Sequence, residues 1–297
     1  MPKPITVLVA GATGHQGGAV ARLLLDRGHT VRALTRKPQS PAAERLRELG
    51  AEVMAADLEV FESVERAAEG ADAFFLVTPI DRGPEAELRA GRWAAYAARD
   101  AGVKHIIYSS VAGTDWITGV PHFDSKRQVE LYLQDLGVPF TIVAPAFFME
   151  NLLGPTLLAG VRAGRLSMPL PSGRKLQMVA VDDIAGLVRL AIERRSEFAG
   201  KRIEIASDEL TGPEIATALS RASGLPVAYA QGSLARLRAQ NEELARTWEW
   251  LDRVGYDIDI DALRLEHPEV GWHTLAAWAQ GRSWRPMEEV GLEQAPA

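Results

Sequence analysis

Three short stretches carry residues whose types and spacing could do chemistry on a phosphorylated ligand. The first is Gly11-Ala12-Thr13-Gly14-His15-Gln16-Gly17-Gly18, which follows the β-branched run Ile5–Ala10 and precedes a helical pattern with Val20, Leu23 and Leu24. Strand, glycine turn and helix in that order form the context of a dinucleotide phosphate cradle. Gly11 lets the chain turn off the strand, Gly14 removes a Cβ where a pyrophosphate must approach backbone N–H groups, and Gly17 or Gly18 allows helix and strand to pack closely. The spacing is one residue longer than the commonest form, and a ligand-free glycine turn would look the same on this stretch alone. The second is Thr35-Arg36-Lys37-Pro38, which closes the next β-rich run. A cofactor lacking a 2′-phosphate is usually held here by an Asp or Glu, and none is present. Arg36 can instead grip a phosphate through two charge-assisted hydrogen bonds, which argues for NADP(H) over NAD(H); solvated turn residues are the alternative. The third is Pro121-His122-Phe123-Asp124-Ser125-Lys126. Pro121 suits a first helical turn, and four-residue spacing puts His122 and Lys126 on one face, which could meet a nicotinamide.

These residues need a scaffold, and the pattern supplies one. Strand-like runs at Ile5–Ala10, Thr30–Thr35, Ala51–Ala55, Ala73–Val77, Val103–Ser109 and Phe140–Ala144 alternate with amphipathic stretches, which predicts a doubly wound, mainly parallel α/β sheet. Its crevice lies at the carboxyl ends of the strands, so residues just past each run matter most. Asp57 and Leu58 could border an adenine, although Asp57 could equally cap a helix. Thr78 and Pro79 end the fourth run, where backbone could line a ribose. Helix Pro84–Ala101, with Leu88, Trp93, Ala94 and Ala97 in a stripe, reads as packing.

Composition narrows the classes. The chain has 297 residues and a formal charge of −6, enough for one large or two modest domains and without the basic footprint of direct nucleic-acid binding. It has no cysteine, so disulfides, thiolate catalysis and zinc–thiolate sites are excluded. There is no leader pattern and no membrane-length apolar run, so a cytoplasmic location is expected. No metal is expected, because His267 and His273 lack acidic companions at ligand spacing.

The chain resembles the short-chain dehydrogenase/reductase superfamily, specifically its atypical NmrA-like branch. The resemblance rests on Gly11–Gly18, Thr35-Arg36, Tyr108-Ser109-Ser110, His122-Phe123-Asp124-Ser125-Lys126 and Pro145-Ala146-Phe147-Phe148-Met149-Glu150-Asn151-Leu152-Leu153, in the expected order. It implies a Rossmann domain over residues 1–150 that binds NADP(H), and a smaller, mostly helical lobe over 151–297, with 181–206 returning to the sheet. Gly11, Thr13, Gly14, His15, Gln16, Gly17, Arg36, Asp57, Leu58, Thr78, Pro79, Lys126, Phe147 and Asn151 are the expected cofactor contacts.

One departure stands out. Orthodox members carry Tyr-x-x-x-Lys, whose lysine binds the nicotinamide ribose and activates the tyrosine as proton donor; here the tyrosine position is His122. None of Tyr96, Tyr108, Tyr132, Tyr229 and Tyr256 has a lysine four residues later. His122, with an ordinary pKa near 6.5, could be the acid itself, or it could only hydrogen-bond near the cofactor while hydride leaves for an acceptor that needs no protein acid.

In the second half, Phe147–Asn151 suits either a roof over a nicotinamide pocket or core packing. Arg165–Gly173 reads as loop, Asp182 or Asp183 as the N-cap of a helix to about Arg194, Ile203–Ala206 as a strand, and Thr211-x-x-Glu214 as a capping box. Trp248, Trp250, Trp272, Trp278 and Trp284 crowd the end of the chain, as a lobe core or an aromatic substrate pocket. The tail 288–297 is expected to fray. Two functions follow: an NADPH-dependent reductase of a small, quinone-like acceptor, or a non-enzymatic sensor whose regulatory protein partner responds to NADP(H) occupancy. A homodimer is left open, and neither nucleic acid nor membrane is an expected partner.

Overall fold

A computed structural model describes residues 3–114 and 117–284, so the tail 288–297 lies outside the described residues. The chain divides into two compact units, one formed by 1–146, 181–206 and 257–272 and the other by the remaining stretches. The first unit opens with β1 (Thr6–Val9), α1 (His15–Asp26), β2 (Thr30–Thr35), α2 (Pro41–Glu48), β3 (Glu52–Ala55), α3 (Phe61–Ala68), β4 (Ala73–Leu76), α4 (Pro84–Asp100), β5 (His105–Ser109), α5 (Pro121–Asp135) and β6 (Phe140–Pro145). The second unit begins with β7 (Phe147–Phe148), α6 (Pro155–Arg162), β8 (Arg165–Met168) and β9 (Lys175–Val179). The chain returns to the first unit for α7 (Val181–Glu193), α8 (Arg195–Phe198) and β10 (Arg202–Ile205). It then adds β11 (Asp208–Thr211), α9 (Gly212–Ser223), β12 (Ala228–Gln231), α10 (Leu234–Gln240) and α11 (Glu242–Arg253) to the second, α12 (Ile260–Glu266) to the first, and α13 (Leu275–Gln280) to the second.

In the first unit seven strands pair in the order β10-β6-β5-β4-β1-β2-β3, and every pairing is parallel. β4 and β5 are buried along their whole length, as a parallel sheet covered on both faces requires. α3, α4 and α5 cover one face through a cluster that includes Leu8, Phe74, Leu76, Ile106 and Tyr108. α1 and α7 pack on each other and on other parts of the sheet, outside that cluster, so the sheet is doubly wound. The chain enters at β1, runs outward to β3, then crosses to β4 on the other side of β1. That reversal is the topological switch point, where the crevice of an open α/β sheet lies.

Small residues set the spacing around it. A Cβ on Gly91 of α4 would fall 2.6 Å from Val129 of α5 and 3.2 Å from Thr78. Only a glycine lets the two helices approach this closely beside the end of β4.

Several sequence expectations need correction. Arg165–Gly173 is not all loop: β8 pairs in parallel with β12, Leu166 opposite Tyr229. Leu166 and Met168 are buried in alternation with Arg165 and Ser167, a period-two signal too short to outweigh the neighbouring Pro and Gly. Asp182 and Asp183 lie inside the first turn of α7, which begins at Val181, so neither is its N-cap. Trp93 is half exposed and does not belong to the packing stripe of α4. Glu214 does accept both the N–H and the hydroxyl of Thr211, at 2.8 and 2.6 Å. The second unit is helical but also holds two small sheets, β11-β9-β7 and β12-β8.

Candidate functional site

At the end of β1 the backbone turns at Gly11 with φ +59°, where a Cβ would also fall 2.8 Å from the Val77 side chain. A Cβ on Gly17 would fall 2.4 Å from the carbonyl oxygens of Ala10 and Gly11, so of the two candidates Gly17 is the glycine that seats α1 against the strand. Thr13, Gly14 and His15 are exposed in the loop between. The N-cap of α1 is Gly14, no side chain caps its N–H groups, and its first turn holds no acid. Those N–H groups and the positive end of the helix dipole fit an anion such as a pyrophosphate. Gln16 ties this loop to β5, its side-chain oxygen accepting from the Ser109 hydroxyl at 2.6 Å.

Arg36 is exposed just past β2, and its guanidinium lies 3.6 Å from Asp81 in the loop between β4 and α4. Asp57 does not cap α3, whose N-cap is Val60. Its carboxylate instead accepts from Glu59 N–H at 3.1 Å and lies 3.8 Å from Arg82. Arg82 is held chiefly by Glu59, at 2.7 Å, which with Asp57 raises its pKa above the ordinary guanidinium value. Leu58 packs against the core cluster.

On the other side of β1 lies a buried polar cluster. Glu87, in the first turn of α4, is fully buried. One of its oxygens accepts from Lys126 Nζ at 2.8 Å and from the Thr78 hydroxyl at 2.7 Å; the other accepts from the Ser125 hydroxyl at 2.5 Å. Lys126 Nζ also donates to Thr78 Oγ1 at 3.2 Å. Thr78 therefore spends its polar side chain inward on this cluster, while Pro79 follows it at the start of the loop. The Tyr108 hydroxyl lies 3.4 Å from Thr78 Oγ1, and Lys126 Nζ lies 5.7 Å from the Tyr108 ring. The fold thus brings a tyrosine beside this lysine although the sequence motif lacks one. Burial and then the nearby Glu87 charge push the Tyr108 pKa well above its ordinary value, so this phenol is no activated acid. His122 occupies the first turn of α5, half-buried, with its ring edge-on to Phe123 at 4.8 Å.

One turn beyond Lys126, buried Glu130 pairs with Arg127 at 2.8 Å and Arg202 at 3.0 Å, and accepts from the Ser110 hydroxyl. Arg202 also reaches Thr114 at 2.7 Å and the Val111 carbonyl at 3.2 Å. Against the cost of burial, Glu130 and Glu204 hold its pKa above the ordinary value. This cluster anchors the segment that follows β5.

The stripe of α4 reads in the sequence as packing alone, which hides Glu87. Its signal was present: Glu87, Ala90, Gly91, Ala94 and Ala98 follow helical spacing on one buried stripe, and an acid on such a stripe must find a cation. Phe147 and Asn151 belong to the second unit, where Phe147 packs on Trp248 with ring centroids 5.7 Å apart and Asn151 is exposed. Trp248, Trp250, Trp278 and Trp284 are buried. The Trp278 and Trp284 indoles donate to Glu150 and to the Ala279 carbonyl, both at 2.8 Å, and Trp272 donates to the His267 carbonyl at 3.0 Å. These rings serve as packing. Among the described residues no group of His, Asp and Glu could hold a metal ion, and no helix is long and apolar enough to cross a membrane.

A Rossmann sheet with a glycine cradle at its switch point defines a nucleotide-binding class of protein. Residues 3–279 match the NmrA-like family model, and the chain belongs to the NmrA-like family. An NAD(P)H azoreductase of Xenophilus azovorans is 32% identical over 226 residues, covering 75% of this chain and 76% of that protein. NmrA, a negative transcriptional regulator solved in complex with NADP, shares the fold with a TM-score of 0.79 at 24% identity, over 98% of each chain. An NADPH-dependent quinone oxidoreductase from Escherichia coli, solved with NADPH, does so with a TM-score of 0.78 at 24% identity, over 93% of this chain and 99% of that one.

Proposed function

We propose that this protein binds NADP(H) at the switch point of its sheet and transfers hydride to a small, electron-poor acceptor such as a quinone or an azo compound. The observation that carries the reading is the placement, on either side of β1, of an uncapped helix N-terminus with the exposed Arg36 and of a buried Lys126 held by Glu87. The azoreductase and quinone oxidoreductase relatives support the same chemistry. When bound, the dihydronicotinamide supplies a hydride. The chain's own residues do the rest. The α1 N-terminus holds the pyrophosphate and Arg36 takes the 2′-phosphate. Lys126, with two of its N–H directions used on Glu87 and Thr78, has one left for a ribose hydroxyl. Tyr108 is too well buried to give a proton, so the acceptors favoured are those whose reduced anion takes its proton from water or from His122.

The test is NADPH oxidation measured against quinones, azo dyes and small carbonyls, with His122→Phe alongside. Turnover with quinones or dyes is expected, and no turnover with any of the three classes would remove the reductase reading. Loss of turnover in His122→Phe would make the imidazole the acid; unchanged turnover would leave that role to water. The missing Tyr-x-x-x-Lys tyrosine favours a second reading, a redox sensor whose protein partner distinguishes the NADP(H)-bound form. NADPH-dependent capture of a partner without turnover is its signature.

A further inference from the structure

We infer that Asp81 is a specificity-determining residue which occupies the 2′-phosphate seat on Arg36 and must be displaced when NADP(H) binds. The inference rests on the NADP(H) reading above, and the geometry behind it is independent of that reading. β1 lies between β4 and β2 in the sheet, so a contact from the loop after β4 to the end of β2 spans two strand spacings, about 10 Å. The Arg36–Asp81 pair makes that span, passing over the end of β1 where the glycine cradle begins. It is a loose strap. The two charged groups lie 3.6 Å apart, too far for a good hydrogen bond, and their side chains are 46% and 61% exposed.

The neighbours explain why Asp81 turns to Arg36. Arg82, adjacent in sequence, is committed to Glu59 at 2.7 Å with Asp57 at 3.8 Å, and Arg89 also approaches Glu59 at 3.8 Å. Three arginines (Arg36, Arg82, Arg89) thus face three acids (Asp57, Glu59, Asp81), a balanced set. A 2′-phosphate entering this set brings further negative charge, and a guanidinium can present its paired N–H groups to only one such anion at a time. Of the three acids Asp81 is the most exposed, 61% against 32% for Asp57 and 26% for Glu59, and Asp57 is also tied to the Glu59 N–H, so Asp81 is the one that yields. The loop can let it go: it ends at Gly83 with φ +83°, and Ile80 in its middle is 60% exposed. NAD(H), lacking the 2′-phosphate, leaves the strap closed. Arg36 therefore supplies the attraction for NADP(H), and Asp81 reduces it.

The experiment is calorimetric titration of NADPH and NADH into the wild-type chain, Asp81→Asn, Arg36→Gln and the double variant. Asp81→Asn is expected to tighten NADPH about two- to fivefold, the worth of one exposed ion pair, and to leave NADH unchanged. In the Arg36→Gln background the gain should shrink. An unchanged NADPH affinity in Asp81→Asn, or an equal gain for both dinucleotides, overturns the inference while leaving NADP(H) binding intact. A gain of full size without Arg36 also overturns it, by reducing Asp81 to a bulk repulsion. A wild-type chain that binds neither dinucleotide, or that prefers NADH, overturns the underlying cofactor reading and this inference with it.

Discussion

Lys126 and Glu87 lie 2.8 Å apart with side chains 10% and 0% exposed, whereas Arg36 and Asp81 lie 3.6 Å apart with side chains 46% and 61% exposed. Both pairs join a cation to a carboxylate at the segment that follows β4, through Thr78 in one and Asp81 in the other, and burial gives them opposite character. The inner pair is hemmed in by Thr78 and Ser125. Neither partner is readily solvated if the other is lost, and the pairing fixes the Lys126 head group in place. The outer pair costs little to open, because water and salt replace its interaction easily. A ligand that must come and go is best recognised by the outer kind, and a group that must be present whenever the ligand arrives is best held by the inner kind.

The sharpest way to break this contrast is Glu87→Leu, which leaves a buried ammonium without its carboxylate. A loss of about 3–5 kcal/mol is expected in urea unfolding. Glu87→Leu combined with Lys126→Met should recover most of it, because an apolar pair of similar volume is often neutral or better. The recovered protein should still fail to bind NADPH tightly. A single variant as stable as the wild type would mean that the inner pair is no more than a surface pair.

A second buried group tests burial without pairing. His105 opens β5, and its Nε2 lies 2.8 Å from Thr141 Oγ1. The Thr141 hydroxyl proton goes to the Phe198 carbonyl at 2.9 Å, so Nε2 must be the donor and Nδ1 is left as a bare nitrogen with no partner among the described residues. Burial, with the Arg195 charge adding to it, lowers the His105 pKa from 6.5 to about 4. The unfolded chain therefore binds this proton more readily than the folded one. Stability from this group is complete above pH 6.5 and is lost as the pH falls from 6.5 towards 4, by about 3 kcal/mol in all. Urea midpoints measured across that window should fall in the wild type and fall less in His105→Asn. Parallel profiles would show that His105 does not set the acid limb.

The legible and illegible parts of this molecule divide along the same line as its charges. The parallel sheet could be read because each strand carries its own apolar run and each helix its own period. The glycine cradle could be read because a turn, a close approach and a helix start fall within eight consecutive residues. Glu87 could not be paired with Lys126, since the partners sit 39 residues apart on different helices and only the packing of α4 on α5 at Gly91 joins them. Nothing local marks Asp81, whose partner Arg36 sits 45 residues earlier at the end of another strand. β8 was hidden for a related reason: its strand partner lies in β12, and a four-residue run carries too little pattern to announce a distant pairing.

Arg36→Gln tests the attractive half of the outer pair. A hydrogen-bonded charge is worth about 1.5–3 kcal/mol, so NADPH affinity should fall about ten- to a hundredfold while NADH affinity holds and the unfolding midpoint stays put. Equal losses for the two dinucleotides would move the role of Arg36 from the 2′-phosphate to the shared pyrophosphate.

The smallest expected effect is also the most discriminating. Glu59 holds Arg82 at 2.7 Å, and that hold leaves Asp81 to Arg36. Glu59→Gln should release Arg82 to compete for Asp81, lifting some of the carboxylate off Arg36 without touching either residue. NADPH affinity should then rise, by less than in Asp81→Asn, with NADH unchanged and stability unaltered. Because every group involved is at least partly open to solvent, the gain should fade as ionic strength rises and the screening length drops from about 30 Å at 0.01 M to about 3 Å at 1 M. The affinity change of a Glu87 variant, set by a buried charge, should persist across the same range. A Glu59→Gln gain that survives 1 M salt would place the outer cluster with the inner one and erase the distinction between them.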